Sequence, residues 1–554
     1  MHRRRFVAIG AAAALQGCRR TPGVAEPASP RRAALIVHGG TIHTGDPQGV
    51  VEAIAIADGR IVDRGDGRTV RASWQGPGTT LLDLEGGSAC AGLCDAHAHL
   101  VGLGRALATV DLRGAGSIDE VVARLRAGAP ASGWVHGRGW DQNLWPGQAM
   151  PTHHALTAAF PDRPVWLRRV DGHAGWGNAA LLAVAGLGRD TTSPAGGEIL
   201  RDGEGLPTGV LVDAAMALVT VPATTADERR TQLLAAQTHA LQRGLTGVHE
   251  MGIDADDDAL YRALDRDERL QLRVHAYASE GWLVGDLGAR DANATVGRYA
   301  LVGVKLYADG ALGSRGAALL ADYDDRPGHR GLMQHEPAEL TALVERAVRG
   351  GWQPATHAIG DAANRATLDA YAAVMTKDQR RALRPRIEHA QVLAPSDLAR
   401  FAELGVIASM QPTHATSDMA WVPARLGPER SQRAYAWRSL LLQHATLCFG
   451  SDFPVERVDP TLGLYAAITR QDLAGAPNGG WLPEQRLSLD EALWCFTQGA
   501  AFAVQREHEL GTLAPGMRAD VTCFTGRLDG EDRRALATLP VRATIIDGHV
   551  VWQA

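Results

Sequence analysis

The sequence predicts an α/β protein: a (β/α)8 TIM-like barrel, a small β-sandwich domain built from both chain ends, and a large insertion after the first barrel strand. Between residues 88 and 507, short strand-like runs alternate eight times with helical stretches, which is typical of a parallel sheet with crossover helices. Alternating apolar residues broken by Asp-Gly turns occur near both termini, which favours an antiparallel sheet. The first two predicted barrel strands lie too far apart for an ordinary loop, which predicts the insertion.

The composition is that of an ordinary globular protein. Of 554 residues, 45% are hydrophobic and 21% are charged, so a disordered, collagen-like or coiled-coil chain is excluded. At roughly 150 residues per domain, this length favours two to four domains, or one barrel with attachments. The net charge is -6 and no basic block follows the N-terminus, so we predict no nucleic-acid partner.

Residues 1–17 have the features of a signal peptide. An Arg-Arg pair at positions 3 and 4 precedes an apolar run over residues 6–15, and Leu-Gln-Gly-Cys ends at Cys18. A run of this length rises about 15 Å as a helix, half the hydrocarbon thickness of a bilayer. It therefore predicts an export signal and not a membrane span. No later segment offers a long enough uncharged apolar run.

Two patterns in this segment predict where the protein is found. Arg-Arg-x-Phe resembles the twin-arginine export signal of bacteria. The four residues that end at Cys18 resemble a lipobox, after which the cysteine is lipidated and becomes the mature N-terminus. We therefore predict an exported bacterial lipoprotein, periplasmic or attached to the cell envelope, with residues 18–31 as a tether and a lipid anchor as the only membrane contact. A plain secretory signal with a chance cysteine is the alternative.

The remaining cysteines show no CxxC pair and no zinc-finger spacing. We interpret all of them as small buried side chains, and a disulfide between the first two is the alternative. They are Cys90, Cys94, Cys448, Cys495 and Cys523.

The predicted domains follow from these patterns. Residues 32–87 with 508–554 form the β-sandwich domain, and residues 88–507 form the barrel. The barrel includes an insertion over residues 105–235, which we interpret as a lid or substrate wall. Residues 225–243 and 336–350 have helical periodicity with acidic first turns. The predicted barrel strands cover residues 88–99, 244–251, 272–278, 301–310, 352–361, 385–391, 405–412 and 445–452.

His97 and His99 close the first predicted barrel strand. Alternate residues of a strand point to the same face, so both imidazoles can bind one metal ion. Such a pair alone is weak evidence, because surface histidines pair by chance. The prediction gains force because ligand-type residues recur at the ends of later strands, where a barrel carries its site. These residues are Lys305, His357, His389 and Asp452.

The ligand set predicts two divalent metal ions, with Zn²⁺ expected. The first ion would be bound by His97, His99 and Asp452, and the second by His357 and His389.

Lys305 needs a separate explanation, because an ammonium group only donates hydrogen bonds. A lysine buried beside two dications would lose its proton, and the neutral amine can add carbon dioxide. The two oxygens of such a carbamylated lysine could bridge two metals. The chain has only two lysines, Lys305 and Lys377, and arginine cannot form a carbamate. A lysine that extends towards solvent from a strand end is the alternative.

Five motifs in this order resemble the amidohydrolase superfamily. The branch that they resemble most is the amidohydrolase-3 group, which includes N-substituted formamide deformylases. The resemblance covers about residues 32–554, and one departure is Cys94, where the family usually has a larger apolar residue. The motifs are DAHAHL (95–100), VKLYADGALGSRGAAL (304–319), THAIGDAANR (356–365), RIEHAQ (386–391) and GSDFPV (450–455).

The resemblance implies metal-dependent hydrolysis, usually of amide-like C–N bonds. Two cations would lower the pKa of a bridging water, and one would polarise the substrate carbonyl. The resemblance implies that Asp452 is the catalytic base, which would pass the proton to the departing nitrogen. We name His173 as the donor to the oxyanion, with an ordinary structural histidine as the alternative. The implied metal ligands are His97, His99, Lys305, His357 and His389.

The residues for substrate recognition are assigned from residue type alone. Trp140, Asp141 and Trp145 lie in one short segment and are candidates for a pocket wall, although most tryptophans are core residues. Arg315 could pair with a substrate carboxylate, and a scaffold salt bridge is an equal alternative. We expect a small amide-type substrate, and a homodimer is left open.

Other polar residues at strand ends receive supporting roles. His249 and Glu250 end the second predicted barrel strand, and we interpret them as a pair that supports the ligands. Asp309 and Asp361 begin helices or turns, and we interpret them as caps.

Two other functions compete with an amidohydrolase. The same site could hydrolyse esters, lactones or phosphotriesters. A non-catalytic binding lipoprotein is less favoured, because loss of activity should first erase the ligands or the base, and all of them are present.

Overall fold

The computed structural model describes residues 32–170, 172–194, 197–291 and 297–554. The export signal, Cys18 and most of the tether lie outside the described residues. The described strands form three sheets. They are β1 (Leu35–His43), β2 (Val50–Ala57), β3 (Arg60–Gly65), β4 (Thr80–Asp83), β5 (Ser88–Ala91), β6 (Leu93–Ala98), β7 (Val110–Asp111), β8 (Val135–Trp140), β9 (Val165–Arg169), β10 (Ala174–Gly177), β11 (Gly197–Arg201), β12 (Pro207–Asp213), β13 (Leu245–Ile253), β14 (Arg273–Ala278), β15 (Tyr299–Tyr307), β16 (Gln353–Ala358), β17 (Arg386–His389), β18 (Ile407–Met410), β19 (Leu447–Phe449), β20 (Val521–Phe524), β21 (Val541–Ile546) and β22 (His549–Gln553).

The helices connect these strands and cover the barrel. They are α1 (Gly67–Trp74), α2 (Leu100–Leu107), α3 (Ile118–Gly128), α4 (His154–Ala159), α5 (Ala179–Val184), α6 (Ala226–Gln242), α7 (Ala255–Arg266), α8 (Glu280–Val284), α9 (Pro337–Arg349), α10 (Asp361–Val374), α11 (Lys377–Leu383), α12 (Leu398–Leu404), α13 (Pro412–Asp418), α14 (Val422–Ser431), α15 (Trp437–Leu442), α16 (Pro460–Thr469), α17 (Leu489–Phe496), α18 (Gln498–Ala503) and α19 (Arg533–Ala537).

Eight parallel strands form a nearly closed barrel, as the sequence predicts. Each strand pairs with the next along the chain, in the order β6, β13, β14, β15, β16, β17, β18 and β19. The segment after β19 is hydrogen-bonded to the segment around the end of β6. The Asp452 N–H donates to the His97 carbonyl (2.8 Å), and the His99 N–H donates to the Phe453 carbonyl (2.9 Å). These bonds draw the carboxyl ends of the first and last strands together.

Local sequence explains where the barrel helices begin. Thr225 caps α6, and its hydroxyl and the Glu228 carboxylate satisfy each other's backbone N–H groups. Helix α9 begins at Pro337, which supplies a fixed φ and lacks the N–H that a first turn leaves unpaired.

The predicted first barrel strand, 88–99, is two strands in the structure. The half before Gly92 is β5, which joins a sheet outside the barrel, and the half after it is β6. The Gly92 N–H donates to the Asp520 carbonyl (2.8 Å). A Cβ atom at this position would lie 2.3 Å from the Thr246 hydroxyl oxygen. Glycine allows this close approach, and the chain changes sheet there.

Both chain ends contribute to the sheet that β5 joins. Its order is β22-β21-β20-β5-β1-β2-β3, with β4 paired to β1. Strand β5 is antiparallel to β20, with Ala91 opposite Val521. Arg273 of β14 binds the Asp520 carboxylate (2.6 Å) and the Asp547 carboxylate (2.5 Å), which ties this sheet to the barrel. The structure shows one sheet here, and the sandwich arrangement stays a prediction.

A third sheet lies between β6 and β13 in the sequence. Its order is β11-β12-β10-β9-β8-β7, with parallel pairs at β7–β8–β9 and antiparallel pairs in the rest. Trp140, Trp145 and Trp176 pack against one another in its core, with ring centroids 5.8–5.9 Å apart. This sheet lies inside the range 105–235 of the predicted insertion.

The described cysteines are all free thiols, and Cys90 and Cys94 form no disulfide in this structure. Four of them are buried as expected, and Cys94 is partly exposed. Among the described residues, no helix combines the length and the apolar character that a membrane span needs.

Candidate metal centre

The barrel brings the predicted ligands to the carboxyl ends of its strands. His97 lies in β6, His389 is the last residue of β17, and Asp452 follows β19. All three residues are buried, and they offer ligand atoms that lie within 4.8 Å of one another. Such a distance allows one cation to contact all three side chains.

The remaining predicted ligands surround this trio. His99 Nε2 lies 3.1 Å from Asp452 Oδ1, and His97 Nε2 lies 3.6 Å from the same oxygen. The imidazole rings of His357 and His389 have centroids 4.6 Å apart. Lys305 Nζ lies 3.3 Å from His97 Nε2. The structure therefore brings all six predicted ligands into one cluster.

A buried carboxylate fixes the position of Asp452. Asp95 accepts hydrogen bonds from the Ser451 hydroxyl (2.6 Å), the Ser451 N–H (3.0 Å) and the His97 N–H (3.1 Å). Asp452 itself has a φ of 61°, a left-handed conformation that non-glycine residues rarely adopt. Such strain at a polar residue is typical of functional sites, where the surrounding contacts hold it.

Hydrogen bonds orient three of the imidazoles in the same way. His97 Nδ1 lies 2.6 Å from Glu388 Oε2, His99 Nδ1 lies 3.0 Å from the Met251 carbonyl, and His389 Nδ1 lies 2.8 Å from Gln411 Oε1. Each Nδ1–H donates to an oxygen, so each Nε2 keeps its lone pair for the cluster. This tautomer is the one that a metal ligand needs.

The sequence analysis did not single out the residues behind His97. Arg386 and Glu388 are completely buried, and the Arg386 Nε–H donates to Glu388 Oε1 (2.8 Å). Arg386 also binds the Tyr277 hydroxyl (2.9 Å) and His249 Nδ1 (2.8 Å). The motif RIEH could have indicated this pair. Arg386 and Glu388 alternate along one strand and so share a face. A buried charged pair is costly unless its members are hydrogen-bonded, which favours a specific role.

The electrostatics of the cluster suit a cation. Burial lowers the pKa of His97 to about 4 and that of His357 to about 3, so both imidazoles are neutral at physiological pH. Burial lowers the pKa of Lys305 to about 8. Burial alone would raise the pKa of Asp452, but the histidines around it, with His97 foremost, outweigh burial and hold that pKa well below its usual value. Neutral imidazoles and an ionised carboxylate are the forms that bind metals.

Two buried imidazole nitrogens point to a missing partner. His357 Nε2 and His414 Nε2 have no hydrogen-bond partner among the described residues. A buried polar atom without a partner destabilises the fold, and a cation would satisfy the His357 nitrogen. His414, which the sequence analysis did not name, lies in α13 with Nε2 3.9 Å from Asp452 Oδ2. Imidazole nitrogens with one carboxylate are a donor set that suits Zn²⁺ and similar divalent ions.

Comparison with known proteins decides the family. The model of the Amidohydrolase family matches residues 80–552. The chain belongs to the amidohydrolase family. This agrees with the resemblance seen in the sequence motifs.

Relatives of this amidohydrolase are similar over nearly their whole length. It is 36% identical to the Arabidopsis thaliana protein LONG AFTER FAR-RED 3, over 94% of this chain and 92% of that protein. It is 29% identical to the N-substituted formamide deformylase of Arthrobacter pascens, over 91% and 95%. A metal-dependent hydrolase from Pyrococcus furiosus has a similar structure, with a TM-score of 0.72 at 30% identity, covering 88% of this chain and 97% of that chain. The chain is thus an enzyme of a metal-dependent hydrolase family.

His173 lies outside the ligand cluster of this amidohydrolase, directly before β10 in the six-stranded sheet. Its side chain is 74% exposed, and Nδ1 lies 2.8 Å from Asp213 Oδ1. The role of His173 as an oxyanion donor stays a prediction.

The assignment of two tryptophans to a substrate pocket is corrected by the structure. Trp140 is completely buried and its indole N–H donates to the Leu167 carbonyl (3.1 Å). Trp145 is also buried, and its indole N–H donates to the Ala115 carbonyl (2.9 Å). Both rings belong to the core of the six-stranded sheet, so they have no free face for a substrate.

The two predicted polar contacts to the substrate are occupied by neighbouring side chains. Arg315 binds both oxygens of Asp325 (2.8 and 3.0 Å), which fits the alternative of a scaffold salt bridge. Asp141 accepts from Arg169 (2.9 Å) and from the Asn143 N–H (3.1 Å). Their side chains therefore have structural partners of their own.

Two further carboxylates hold the backbone around the ligands. Glu250 accepts from the N–H groups of Leu100 and Val101 at the start of α2, directly after His99. Asp309 accepts from three backbone N–H groups and lies 3.6 Å from His357 Nε2. Both contacts keep ligand-bearing segments in place.

Proposed function

We propose that this enzyme hydrolyses a non-peptide C–N bond of a small amide-type molecule. The observation that carries the proposal is the buried cluster of His97, His389 and Asp452, whose ligand atoms lie within 4.8 Å at the mouth of the barrel. The similarity to an N-substituted formamide deformylase supports an amide as the substrate class. No observation favours the alternative of esters, lactones or phosphotriesters. The presence of the complete ligand cluster speaks against a non-catalytic binding protein.

We also propose two divalent metal ions, with Zn²⁺ expected, and a carbamylated Lys305 among the residues that would hold them. The burial of Lys305 among the ligands supports this assignment. Bound divalent ions would polarise the substrate carbonyl and lower the pKa of water. The residues that would hold them are His97, His99, Lys305, His357, His389 and Asp452.

Asp452 would move the proton of the reaction. Its carboxylate is buried and ionised, so it can accept a proton from the attacking water and deliver it to the departing nitrogen. The hydrogen bonds of Asp95 hold the segment that carries it. His173 is the proposed donor to the developing oxyanion, and His414 is a second candidate because its buried Nε2 has no partner among the described residues.

Removal of the metal tests this proposal. Chelation is expected to abolish hydrolysis of a panel of N-formyl, N-acetyl and aromatic amides, and Zn²⁺ or Mn²⁺ is expected to restore it. His97→Ala should lose bound metal as well as rate, because Nε2 of His97 lies at the centre of the cluster. Metal analysis checks both results, with His508→Ala as the control, since His508 is 90% exposed. Full turnover by a verified metal-free sample would contradict the proposal.

We propose the same division of the chain as the sequence predicts. Residues 32–87 with 508–554 would form one small domain, and residues 88–507 would form the barrel domain with its insertion over 105–235. The sheet shared by both chain ends and the separate sheet β7–β12 support this division.

We propose that the protein is an exported lipoprotein anchored through Cys18. The Arg-Arg pair, the apolar run and the Leu-Gln-Gly-Cys sequence support this proposal. Cys18→Ser is expected to abolish acylation and to move the protein from the membrane fraction to the soluble fraction. Fractionation and mass spectrometry of the mature N-terminus measure the change, with Cys94→Ser as the control. A wild-type protein that stays in the membrane without an acyl group would rule out the lipid anchor.

A further inference from the structure

Tyr307 stands over Lys305 at the mouth of the barrel. It is the last residue of β15, and Lys305 lies two residues before it, so both side chains leave the same face of the strand. The Lys305 Nζ atom lies 5.3 Å from the centroid of the Tyr307 ring. The rings of Tyr307 and His357 have centroids 5.7 Å apart. The phenol therefore lies beside two proposed metal ligands without belonging to the ligand set.

The hydroxyl of Tyr307 makes no hydrogen bond with a described residue, and the side chain is only partly buried. A Cβ atom placed on Gly252 would lie 3.7 Å from the phenol oxygen and 4.0 Å from Cγ of Lys305. Apart from its own chain neighbours, it would meet no third described atom within 4 Å. Gly252 follows Met251, whose carbonyl is the partner of His99 Nδ1. The phenol oxygen therefore borders open space beside the ligands.

A tyrosine of the neighbouring strand illustrates a purely structural role. Tyr277 of β14 is completely buried. Its hydroxyl donates to Gln353 Oε1 (2.6 Å) and accepts from the Arg386 guanidinium (2.9 Å). The core thus uses this hydroxyl both as a donor and as an acceptor. The hydroxyl of Tyr307, in contrast, is free to bind a molecule that enters the mouth.

The backbone of Tyr307 is held on both sides. It pairs in register with His357 of β16, and the N–H of the next residue, Ala308, donates to the His357 carbonyl (2.8 Å). On the other side, the Tyr307 N–H donates to Glu280 Oε2 (3.4 Å), and Glu280 Oε1 lies 2.8 Å from His335 Nε2. A donor that is fixed before the substrate arrives needs little reorganisation during the reaction.

We propose that Tyr307 is a catalytic residue whose hydroxyl donates a hydrogen bond to the carbonyl oxygen of the substrate as this oxygen becomes an oxyanion. This inference rests on the proposed function. The attack of water on the carbonyl carbon moves an electron pair onto the oxygen. The pair returns when the C–N bond breaks, and the departing nitrogen takes up a proton. The phenol makes and breaks no covalent bond and keeps its own proton, since phenols stay protonated at neutral pH.

The other candidate donors lie elsewhere. His173 is 74% exposed and lies outside the ligand cluster. His414 approaches the cluster beside Asp452, with Nε2 3.9 Å from Oδ2. Tyr307 approaches it beside His357. Tyr307 and His414 thus offer donors next to different ligands, and an oxyanion hole can combine several donors.

Tyr307→Phe tests the inference, because it removes the hydroxyl and keeps the ring. For the best substrate of the amide panel, kcat is expected to fall about tenfold to thousandfold with KM nearly unchanged, since the bond strengthens only in the transition state. Metal analysis should give the wild-type content. Tyr261→Phe is the matched control and should keep the wild-type kcat, since the Tyr261 hydroxyl is buried without a partner among the described residues. An unchanged kcat in Tyr307→Phe, or a loss of metal that accounts for the lower rate, would overturn the proposal.

Binding of a tetrahedral analogue separates failure of this inference from failure of the proposed function. Calorimetry on the full metal-loaded protein compares N-phenyl methylphosphonamidate, whose oxygens resemble the oxyanion, with acetanilide, the corresponding amide. The wild type is expected to prefer the analogue, and Tyr307→Phe should lose about tenfold to thousandfold of that preference.

Three other outcomes of these measurements are decisive. If amides are hydrolysed but the preference is the same in both proteins, only the role of Tyr307 fails. If no amide is hydrolysed and the wild type does not prefer the analogue, the proposed function fails together with this inference. If no amide is hydrolysed, but the wild type prefers the analogue and the variant loses that preference, the donor role of Tyr307 stands and the amide substrate class fails.

Discussion

Asp452→Asn is expected to lower kcat by about two to four orders of magnitude, while the protein keeps at least one metal ion. The amide of asparagine has nearly the same shape as the carboxylate, but it cannot accept the proton of the attacking water. The Asp452 N–H donates to the His97 carbonyl, and Asp95 holds the neighbouring Ser451, so both contacts remain in the variant. Steady-state kinetics with parallel metal analysis measure both quantities.

The control for Asp452→Asn is an exposed aspartate that is not one of the proposed metal ligands. Asp256 in α7 is 83% exposed, so Asp256→Asn should leave both kcat and metal content unchanged. If Asp452→Asn keeps activity within a few fold of the wild type, the proton is transferred by another residue. His414, whose Nε2 lies 3.9 Å from Asp452 Oδ2, would then be examined first.

Lys305→Arg is expected to remove metal and abolish activity, although the two side chains have similar lengths. Arginine stays protonated, and it cannot form a carbamate. A permanent cation at ~4 Å from a dication, at an effective dielectric constant near 20, costs about 4 kcal/mol for each unit charge, which is enough to expel an ion. Lys377→Arg is the matched control, because Lys377 is the only other lysine and lies in α11.

The carbamate itself has two direct tests. Carbon-13 NMR of the wild type with labelled bicarbonate should show a carbamate signal, and the protein should carry the mass of one CO₂. Lys305→Ala leaves a gap that acetate or formate could fill, so these ions are expected to restore part of the activity. A bare amine at full activity, or an active Lys305→Arg variant, would leave a mononuclear site formed by His97, His99 and Asp452.

The barrel was predictable because its signals are local. Each parallel strand is a short apolar run that ends in polar residues, and these ends meet at one edge of the barrel. His97 and Asp452 lie at opposite ends of the barrel sequence, yet the fold joins them through the backbone hydrogen bonds of Asp452 and His97. Strand order alone therefore placed the candidate ligands together.

Features that depend on packing were not predictable in the same way. The chain changes sheet at Gly92, where any side chain would collide with Thr246, a residue distant in the sequence. Trp140 and Arg315 are residue types that are common in binding sites. Tertiary contacts, however, bury Trp140 and pair Arg315 with Asp325, and the sequence does not show these contacts. The motif RIEH places Glu388 on one strand face with Arg386, but its hydrogen bond to His97 depends on the tertiary fold.

The sheet shared by both chain ends also constrains the order of folding. Strand β5 can pair with β20 only after almost the whole chain has left the ribosome, since Ala91 lies opposite Val521. Until then, β5 has an unpaired edge, and Arg273 in the barrel lacks the carboxylates of Asp520 and Asp547. Contacts of such long sequence separation form late and make folding slow. A chain that ends before β20 would thus leave one edge of β5 unpaired and Arg273 without its two carboxylate partners.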